Sequence, residues 1–544
     1  MNKLVAPLAA VACIVGAILL LVWGQAPALA NQPFTFLVHP ETSLQTIVGF
    51  GSGFNEGSLD DIKAIQNSDD RARAYDLLYG EQELGTNLNI VRLTISPTAK
   101  PLLATTFQGL RYNWGADQRT QLVWQASQPV LNMNKPLQPM LKKNRSIIYA
   151  VPFTPPSRWK IFTTHYPFNP NCADKSDPKL CGGKLDPNHY QDYATYLADF
   201  VDYYHKVLHV DIDVVSLQNE PGVPAPWDSC LWTGEELRAF LKVLAPIIHA
   251  RGLNPKLMLS EGTNWNGAWL HLQPTLQDAA TLPLINVMAS HSYGTPQENV
   301  SRANFAAASD QYGLPVWMSE MSIIGPPEDA GMGAAMTIAQ CMQRDLVDGR
   351  ASAWIYCFAV FRPYMHNIKG SLSVLSVAED GALVVPKRFW AMANYSHFVR
   401  PGWKRIQLDG LSFVNTGFIN PEGNGFAIVV LNPTVKPQSA VYDFGDWTIS
   451  AIETFCTTDT LDLYHDQAHH VVPLATQPHR FTATLPPRSV TTVIGDLAQP
   501  KPLPYGLPHH TGQGGGAGTT TSEGCEKDAT GHCIPGTMPK HTRE

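Results

Sequence analysis

The sequence predicts an α/β fold, a (β/α)8 TIM barrel accompanied by a β-sandwich side domain. Eight short apolar runs alternate with helix-like patterns over residues 46–400, which favours a closed barrel over an open sheet. After Pro401 the pattern changes to short strands separated by Gly, Asn and Pro, as in a β-sandwich. Two of the barrel runs end in a glutamate, at the strand ends where such barrels carry their functional side chains.

The eight predicted barrel strands are bounded by turn residues or helical patterns. The helix at 71–79 follows a cap at Ser68-Asp69-Asp70, and Thr233 with Glu236 forms a capping box for a helix to about Ala250. The polar stretch 94–145 is too long for a simple connection, so we expect extra loop structure there. The strands are predicted at residues 46–51, 89–93, 146–151, 214–218, 256–260, 286–291, 316–320 and 352–358.

The side domain is predicted over residues 401–498, and residues 499–544 form a tail rich in Pro, Gly and Thr. The tail carries few large apolar residues, so we expect it to be flexible. The sandwich strands are predicted at residues 403–408, 412–420, 426–432, 449–455, 481–485 and 490–494.

Composition allows a large core and limits the partners. The chain has 544 residues, 44% of them hydrophobic and 16% charged, with a formal net charge of -7. No basic stripe is visible, so we expect no nucleic-acid partner. The 13 Trp suit a sugar-binding cleft, although a large core also takes up aromatic residues.

Residues 1–30 have the pattern of a secretory signal peptide. Lys3 precedes an uncharged apolar run over 4–22, and Ala28-Leu29-Ala30 offers a cleavage site. The run is nearly long enough to cross a bilayer, so an uncleaved anchor is the alternative. Both interpretations predict an exported protein that is secreted, periplasmic or tethered on the outer side, with membrane contact only through this segment.

Nine cysteines are present. In an exported chain, Cys172 with Cys181 and Cys525 with Cys533 are plausible disulfides. Cys341 falls in a helical pattern and Cys357 in a strand, so both are interpreted as core residues. No Cys/His spacing resembles a zinc site and no Gly-rich phosphate loop is present, and we therefore predict neither a metal nor an organic cofactor.

Two segments one hundred residues apart carry the chemistry. Residues 217–221 read Leu-Gln-Asn-Glu-Pro and residues 316–320 read Val-Trp-Met-Ser-Glu. Each places a glutamate at the C-terminal end of a predicted strand, Glu220 in the first and Glu320 in the second. Two carboxylates are the minimum apparatus for hydrolysing a glycosidic bond, and they lie about 5–5.5 Å apart when the reaction retains the anomeric configuration.

Together with further segments, this pattern resembles glycoside hydrolase family 30, in the clan of retaining β-glycosidases with (β/α)8 barrels. The resemblance covers residues 45–495. It includes the opening strand 45–51, the segment 218–236 with Asn-Glu-Pro and Ser-Cys-Leu-Trp-Thr, the barrel exit 396–402 and the closing strand 486–492. Family members build the side sandwich partly from the chain that precedes the barrel. The resemblance therefore implies that residues 31–45, with a strand at 34–38, join the C-terminal strands.

The resemblance implies roles for several residues. Glu220 is expected to be the general acid/base and Glu320 the nucleophile. Asn219 is expected to bond the sugar 2-hydroxyl. Arg92 is expected to bond the nucleophile, although a structural pair with another barrel carboxylate is the alternative.

Four further residues have weaker support. His291 and Tyr293 are expected to hold the nucleophile ionised and oriented, or to be wall residues of the barrel. Trp354 is expected to form the floor of the sugar site, with ordinary core packing as the alternative. Glu56 falls where glucosylceramide-cleaving members carry a sugar-binding aspartate.

The sequence also departs from the family. Phe153, Ser292 and Cys357 stand where the glucosylceramidase branch has tryptophans, and residues 321–327 lack the arginine of the glucuronoxylan-cleaving branch. We therefore predict a retaining β-glycoside hydrolase acting on a β-linked extracellular or cell-wall glycan. The alternatives are a glucosylceramidase-like glycolipid hydrolase and a sugar-binding barrel without catalysis.

Overall fold

The computed structural model describes most of residues 34–498. The predicted targeting segment 1–30, the tail 499–544 and its Cys525–Cys533 pair lie outside the described residues. Among the helices of the described part, none is both long enough and apolar enough to cross a membrane. The undescribed positions within 34–498 are 55, 81–83, 96, 98–99, 102–111, 114–145, 209–210, 325–329, 363–369, 411–413, 466–470 and 474–475.

The first strand, β1 (Phe34–Thr46), belongs to the side sheet, and the chain then enters a closed parallel barrel. Each barrel strand pairs with the next, and the last pairs with the first. The predicted barrel is therefore confirmed. Its strands are β2 (Gly49–Phe54), β3 (Ile90–Ile95), β4 (Ile147–Pro152), β5 (Val214–Ser216), β6 (Lys256–Gly262), β7 (Val287–His291), β8 (Val316–Met321) and β9 (Ala351–Tyr356).

Helices cover the outside of the barrel and supply its crossover connections. The capping box of Thr233 and Glu236 is confirmed at the start of the fourth helix. The second helix begins at Ser68, three residues earlier than predicted, because the Asn67 side chain accepts the free N–H groups of Asp69 and Asp70. The helices are α1 (Glu56–Lys63), α2 (Ser68–Tyr79), α3 (Tyr190–Tyr203), α4 (Gly234–Ala250), α5 (Trp265–Leu276), α6 (Arg302–Tyr312), α7 (Met332–Val347) and α8 (Lys387–Ser396).

Side chains along each barrel strand alternate between the barrel interior and the helix layer. Val287 and Ala289 on β7, and Ala353 and Ile355 on β9, belong to the interior apolar cluster. Met288 and Trp354 belong to the larger cluster between the barrel and its helices. This parity decides which side chains reach the mouth of the barrel.

The side domain is a ten-stranded, mostly antiparallel sheet with its own apolar core. β1 lies near its middle, antiparallel to the first strand after the barrel and parallel to the strand Gln438–Asp443. The β-sandwich side domain built from both ends of the chain is thus confirmed. The remaining strands are β10 (Lys404–Asp409), β11 (Asn415–Ile419), β12 (Gly425–Asn432), β13 (Gln438–Asp443), β14 (Thr448–Thr457), β15 (Tyr464–His465), β16 (Val471–Pro473), β17 (Arg480–Leu485) and β18 (Ser489–Ala498).

The side sheet packs directly against the barrel helices. Phe418 and Val429 of the sheet share one buried cluster with Ile338 of α7 and Met392 of α8. The barrel and the sheet form one compact unit, so the sheet supports the helix layer on the side where β9 closes on β2.

Several shorter elements decorate the connections at the barrel mouth. The predicted Cys172–Cys181 disulfide is present and closes a loop between β4 and α3. The short strands are Lys100–Pro101, Tyr112–Asn113, Lys160–Ile161, Lys184–Leu185, Ile323–Ile324, Phe358–Phe361, Gly370–Ser371, Ser373–Val377 and Leu383–Val384.

Candidate active site

Glu220 and Glu320 meet at the C-terminal mouth of the barrel. Glu220 lies four residues after the end of β5, and Glu320 is the penultimate residue of β8. One oxygen of each carboxyl group and one ring nitrogen of His291 all lie within 4.8 Å of one another. The two acidic side chains, distant in sequence, therefore meet at the barrel mouth.

A register shift aims Glu320 into the barrel. Met318 is opposite Ser290 of β7, but Glu320 is opposite His291, so β8 contains one additional residue. Trp317 faces the interior, and simple alternation would turn Glu320 outward. The bulge restores the inward direction, as bulges beside active sites often do.

The backbone conformation of Glu220 sets the direction of its side chain. Its φ is 45°, a left-handed conformation that costs an ordinary residue about 1–2 kcal/mol. The Glu220 N–H donates to the Glu261 carbonyl oxygen at 3.0 Å, and the Asn219 N–H donates to the Pro152 carbonyl oxygen at 2.9 Å. Hydrogen bonds to the ends of β6 and β4 hold this turn in place.

The Glu320 carboxylate is held by a cation and a phenol. Arg92 Nη1 lies 2.8 Å from Glu320 Oε2, and the Tyr293 hydroxyl donates to Glu320 Oε1 at 2.8 Å. Burial opposes the negative charge, but Arg92, His291 and the Tyr293 hydrogen bond outweigh burial and lower the pKa of Glu320. The side chain is therefore ionised at neutral pH.

Glu220 contacts a charged imidazole. His291 Nδ1 lies 3.2 Å from Glu220 Oε1 and 3.9 Å from Glu320 Oε1. Burial opposes the charge on His291, yet Glu320, Glu220 and Glu261 outweigh it and raise its pKa to about 9. As an imidazolium, His291 can donate from both ring nitrogens.

Both carboxylates remain reachable from solvent. The Glu220 side chain is 7% exposed and the Glu320 side chain is 9% exposed, whereas Glu261 beneath them is sealed at 0%. A substrate in the barrel mouth can thus touch the first two but not the third.

Asn219 and Arg92 connect the two halves of the site. Arg92 Nη2 donates to Asn219 Oδ1 at 2.7 Å, while Nη1 of the same guanidinium contacts Glu320. Orienting the amide through its oxygen leaves its nitrogen as the hydrogen-bond donor of the side chain.

Two predicted residues do not join this group. Trp354 is fully buried in the layer between barrel and helices, and its indole N–H donates to Asp345 Oδ2 at 2.9 Å. On β9, the side chain of Trp354 points outward to the helices and not into the barrel. The expectation that it forms the floor of the sugar site is therefore wrong. Glu56 begins α1, and its side chain lies outside the described residues.

Two residues at the site were assigned no role from the sequence. Tyr149 on β4 donates a hydrogen bond to Glu261 and is opposite Arg92 in the register of β3 and β4. Glu261, the penultimate residue of β6, was likewise not among the predicted site residues. Both are polar residues in otherwise apolar strands, and this pattern is visible in the sequence. The sequence does not show which residues of neighbouring strands lie side by side.

Glu220, His291 and Glu320 also have the geometry of a candidate metal-ligand group. Arg92 lies against Glu320, and the raised pKa of His291 keeps that ring protonated. A metal ion would need the neutral imidazole, so the local charge disfavours a cation.

Comparisons with known proteins find relatives named as glycoside hydrolases. The chain is 26% identical to the glucuronoxylanase XynC of Bacillus subtilis over 361 residues, covering 65% of this chain and 74% of that one. It is 24% identical over 446 residues to putative glucosylceramidase 1 of Caenorhabditis elegans, covering 74% of this chain and 78% of that one. No family model matches the sequence.

The fold is shared with solved structures. A glycoside hydrolase family 30 subfamily 8 xylanase from Clostridium acetobutylicum superimposes with a TM-score of 0.63 at 22% identity, covering 85% of this chain and 99% of that one.

A barrel with a facing glutamate pair at its mouth and a side sheet, together with these relatives, defines an O-glycosyl hydrolase. Within that class, the relatives named glucuronoxylanase and putative glucosylceramidase, together with the shared fold, support an assignment to glycoside hydrolase family 30.

Proposed function

We propose that this protein hydrolyses a β-linked extracellular or cell-wall glycan by double displacement, with Glu320 as nucleophile and Glu220 as general acid/base. The observation that carries the proposal is the pair of carboxyl oxygens within 4.8 Å of each other at the solvent-reachable mouth of the barrel. An inverting enzyme needs about 6.5–9.5 Å between its carboxyl groups to admit a water molecule.

In the first step, the Glu320 carboxylate attacks the anomeric carbon of the bound sugar. The bond from that carbon to the leaving oxygen breaks, and protonated Glu220 transfers its proton to the departing oxygen. The product is a glycosyl ester on Glu320. Arg92 and Tyr293 support this step because they keep Glu320 ionised and fix its orientation.

In the second step, a water molecule attacks the anomeric carbon while the Glu220 carboxylate removes its proton. The ester bond to Glu320 breaks and the nucleophile is regenerated. His291 Nδ1 lies 3.2 Å from Glu220 Oε1 and orients that carboxyl group toward the water. Asn219 is assigned to the sugar 2-hydroxyl, because Arg92 fixes its amide.

The nature of the substrate is inferred from the relatives and from the sequence. A relative named glucuronoxylanase supports a glycan substrate. Residues 321–327 contain no arginine, the residue expected in that loop for binding glucuronic acid, so we infer a glycan without this acidic branch. The signal-like segment 1–30 supports action outside the cell.

A glucosylceramidase-like activity is the second candidate, because a relative named putative glucosylceramidase matches 74% of the chain. Phe153 and Cys357 in place of two tryptophans weaken this candidate, since a glycone site with less aromatic surface has a different shape. Ser292, the third such position, faces the helix layer and does not shape the glycone site.

The test is a panel of aryl β-glycosides, soluble β-glucans, xylans, galactans and a lipid-linked glucoside, with the product anomer followed by NMR. We expect turnover on a soluble β-linked substrate, initial formation of the β-anomer, and labelling of Glu320 by a 2-deoxy-2-fluoro glycoside. An inverted product would contradict double displacement, preference for the lipid substrate would favour the second candidate, and no turnover on any substrate would favour a sugar-binding barrel.

A further inference from the structure

A third glutamate lies directly behind the proposed catalytic pair. Glu261 ends β6 and has no exposed surface. Its Oε1 accepts a hydrogen bond from the Tyr149 hydroxyl. The same oxygen lies 3.8 Å from Arg92 Nη2 and 3.7 Å from His291 Nε2. One buried carboxylate oxygen therefore faces two cationic side chains from different strands.

Each of these cations also faces one of the catalytic carboxylates. Arg92 Nη1 lies 2.8 Å from Glu320 Oε2, and His291 Nδ1 lies 3.2 Å from Glu220 Oε1. The charges thus alternate along a continuous row that runs Glu320, Arg92, Glu261, His291, Glu220. Glu261 is the central member, and the two ends are the groups that touch substrate.

We propose that Glu261 is a positioning residue, which aligns Arg92 and His291 on the two catalytic carboxylates without itself touching the substrate. This inference rests on the proposed function. Without the central negative charge, the guanidinium and the imidazolium would face each other as like charges in a low-dielectric site. Both would then move toward Glu320 and Glu220 and change the geometry of the pair.

The surroundings of Glu261 fit this role. The groups that face it come from different strands: Arg92 from β3, Tyr149 from β4, Ser216 from β5 and His291 from β7. The Glu261 carbonyl also accepts the Glu220 N–H at 3.0 Å. The residue is therefore tied to the general acid/base through the backbone and to the nucleophile through Arg92.

A purely structural carboxylate would only neutralise buried cations, so the two roles differ in their effect on pH dependence. Glu261 raises the pKa of Glu320 as a nearby like charge. Removing that charge should shift the acid limb of the pH profile to lower pH. A loss of stability alone leaves the pH profile of the folded enzyme in place.

The first experiment compares the full-length wild type with Glu261→Gln on the aryl β-glycoside that the wild type hydrolyses best. We expect kcat to fall about 10-fold to 100-fold with KM nearly unchanged, and the acid limb of kcat/KM to move to lower pH. Unchanged kcat, or a lower kcat with an unmoved acid limb, would overturn the positioning role.

A second pair of variants decides the question if Glu261→Gln does not fold. Tyr149→Phe removes the hydroxyl that holds Glu261 and keeps every charge. Tyr193→Phe is the matched control, since Tyr193 is a buried tyrosine on α3 whose hydroxyl has no hydrogen-bond partner in the described structure. We expect kcat to fall about 5-fold or more in Tyr149→Phe only. Equal kcat values in the two variants would overturn the proposal.

The failure of this inference is distinguishable from failure of the proposed function. If Glu320→Gln keeps turnover, both are overturned. If Glu320→Gln is inactive but Glu261→Gln and Tyr149→Phe behave like the wild type, only the role of Glu261 is overturned.

Discussion

Two buried clusters of charged side chains lie on opposite sides of the same barrel wall. One faces the barrel interior and the other faces the helix layer, and two adjacent residues of the chain contribute one side chain to each. His291 faces the interior and belongs to the catalytic cluster with Glu220, Glu261 and Glu320. Ser292 faces the helix layer and donates to Asp345 at 2.7 Å. Both clusters combine an arginine with carboxylate and polar side chains, yet only one has the properties of an active site.

The outer cluster, here called the Asp345 cluster, is closed. Asp345 is fully buried, and both of its carboxylate oxygens accept hydrogen bonds. Its donors come from α5, α6, α7, β9 and the segment after β7, and they are Trp265, Arg302, Cys341, Trp354 and Ser292.

The catalytic cluster is open in comparison. Glu220 and Glu320 keep a few per cent of their surface exposed, and Glu261 Oε2 and His291 Nε2 have no hydrogen-bond partner within the described residues. Three carboxyl groups face the two cationic side chains Arg92 and His291 here, whereas Arg302 and Asp345 form a one-to-one pair. The comparison teaches that incomplete satisfaction and access to solvent, rather than residue type, distinguish a reactive cluster from a structural one.

The largest expected effect comes from Glu320→Gln. The variant loses the nucleophile, so kcat should fall on the order of 10⁴-fold or more. Arg92 keeps Glu261 and Asn219 as partners, so the unfolding free energy should change little. Steady-state kinetics and chemical denaturation of the same preparation measure both. Turnover close to that of the wild type would make the nucleophile assignment wrong.

Glu220→Ala should show an effect that depends on the leaving group. A poor leaving group needs the proton from Glu220, so its turnover should fall about 10²-fold to 10⁴-fold. A good leaving group departs unaided, and the glycosyl ester should then accumulate until added azide attacks it and gives the β-glycosyl azide. The same loss on every substrate without azide rescue would contradict the general acid/base role.

Asp345→Asn should have the opposite pattern, with a loss of stability that exceeds its effect on chemistry. The substitution leaves the buried Arg302 charge unpaired, which costs about 3–5 kcal/mol of unfolding free energy. Asp446→Asn is the matched control, because Asp446 is exposed and should change stability by less than about 0.5 kcal/mol. Equal stability of the two variants would remove the distinction between the clusters.

Stability should depend on pH through His291. Its folded-state pKa of about 9 lies above the ordinary 6.5, so its stabilisation is complete below pH 6.5 and is lost as pH rises through about 9. The difference in melting temperature between wild type and His291→Gln should therefore shrink over this window. A difference that is constant from pH 6 to pH 10 would show that His291 is not held as a cation.

The smallest expected effect is that of Ser292→Ala. The Ser292 hydroxyl donates to Asp345 and accepts from Trp265 and Arg302, but both donors also reach Asp345 directly. We expect a loss of about 1 kcal/mol in unfolding free energy and less than a tenfold change in kcat. A larger loss of kcat would show that the Asp345 cluster controls the placement of His291.

Much of the fold could be predicted because its elements depend on patterns within short segments of the sequence. The eight barrel strands were located by apolar runs, and the Thr233 capping box by side chains three residues apart. The strand β13 at Gln438–Asp443 was missed, because its alternating pattern lies beside a polar, Pro-containing segment. The start of α2 was placed three residues late, because Asn67 and Ser68 are both good capping residues.

The sequence by itself determined that two strand ends carry glutamates and that a barrel brings such ends to one mouth, since parallel strands share direction. Only the tertiary structure decided which neighbours these side chains meet. The bulge in β8 turned Glu320 inward, and the parity of β9 turned Trp354 outward. Register between strands far apart in the chain placed Tyr149, Arg92 and Glu261 together, because pairing depends on the closed sheet as a whole and not on any one segment.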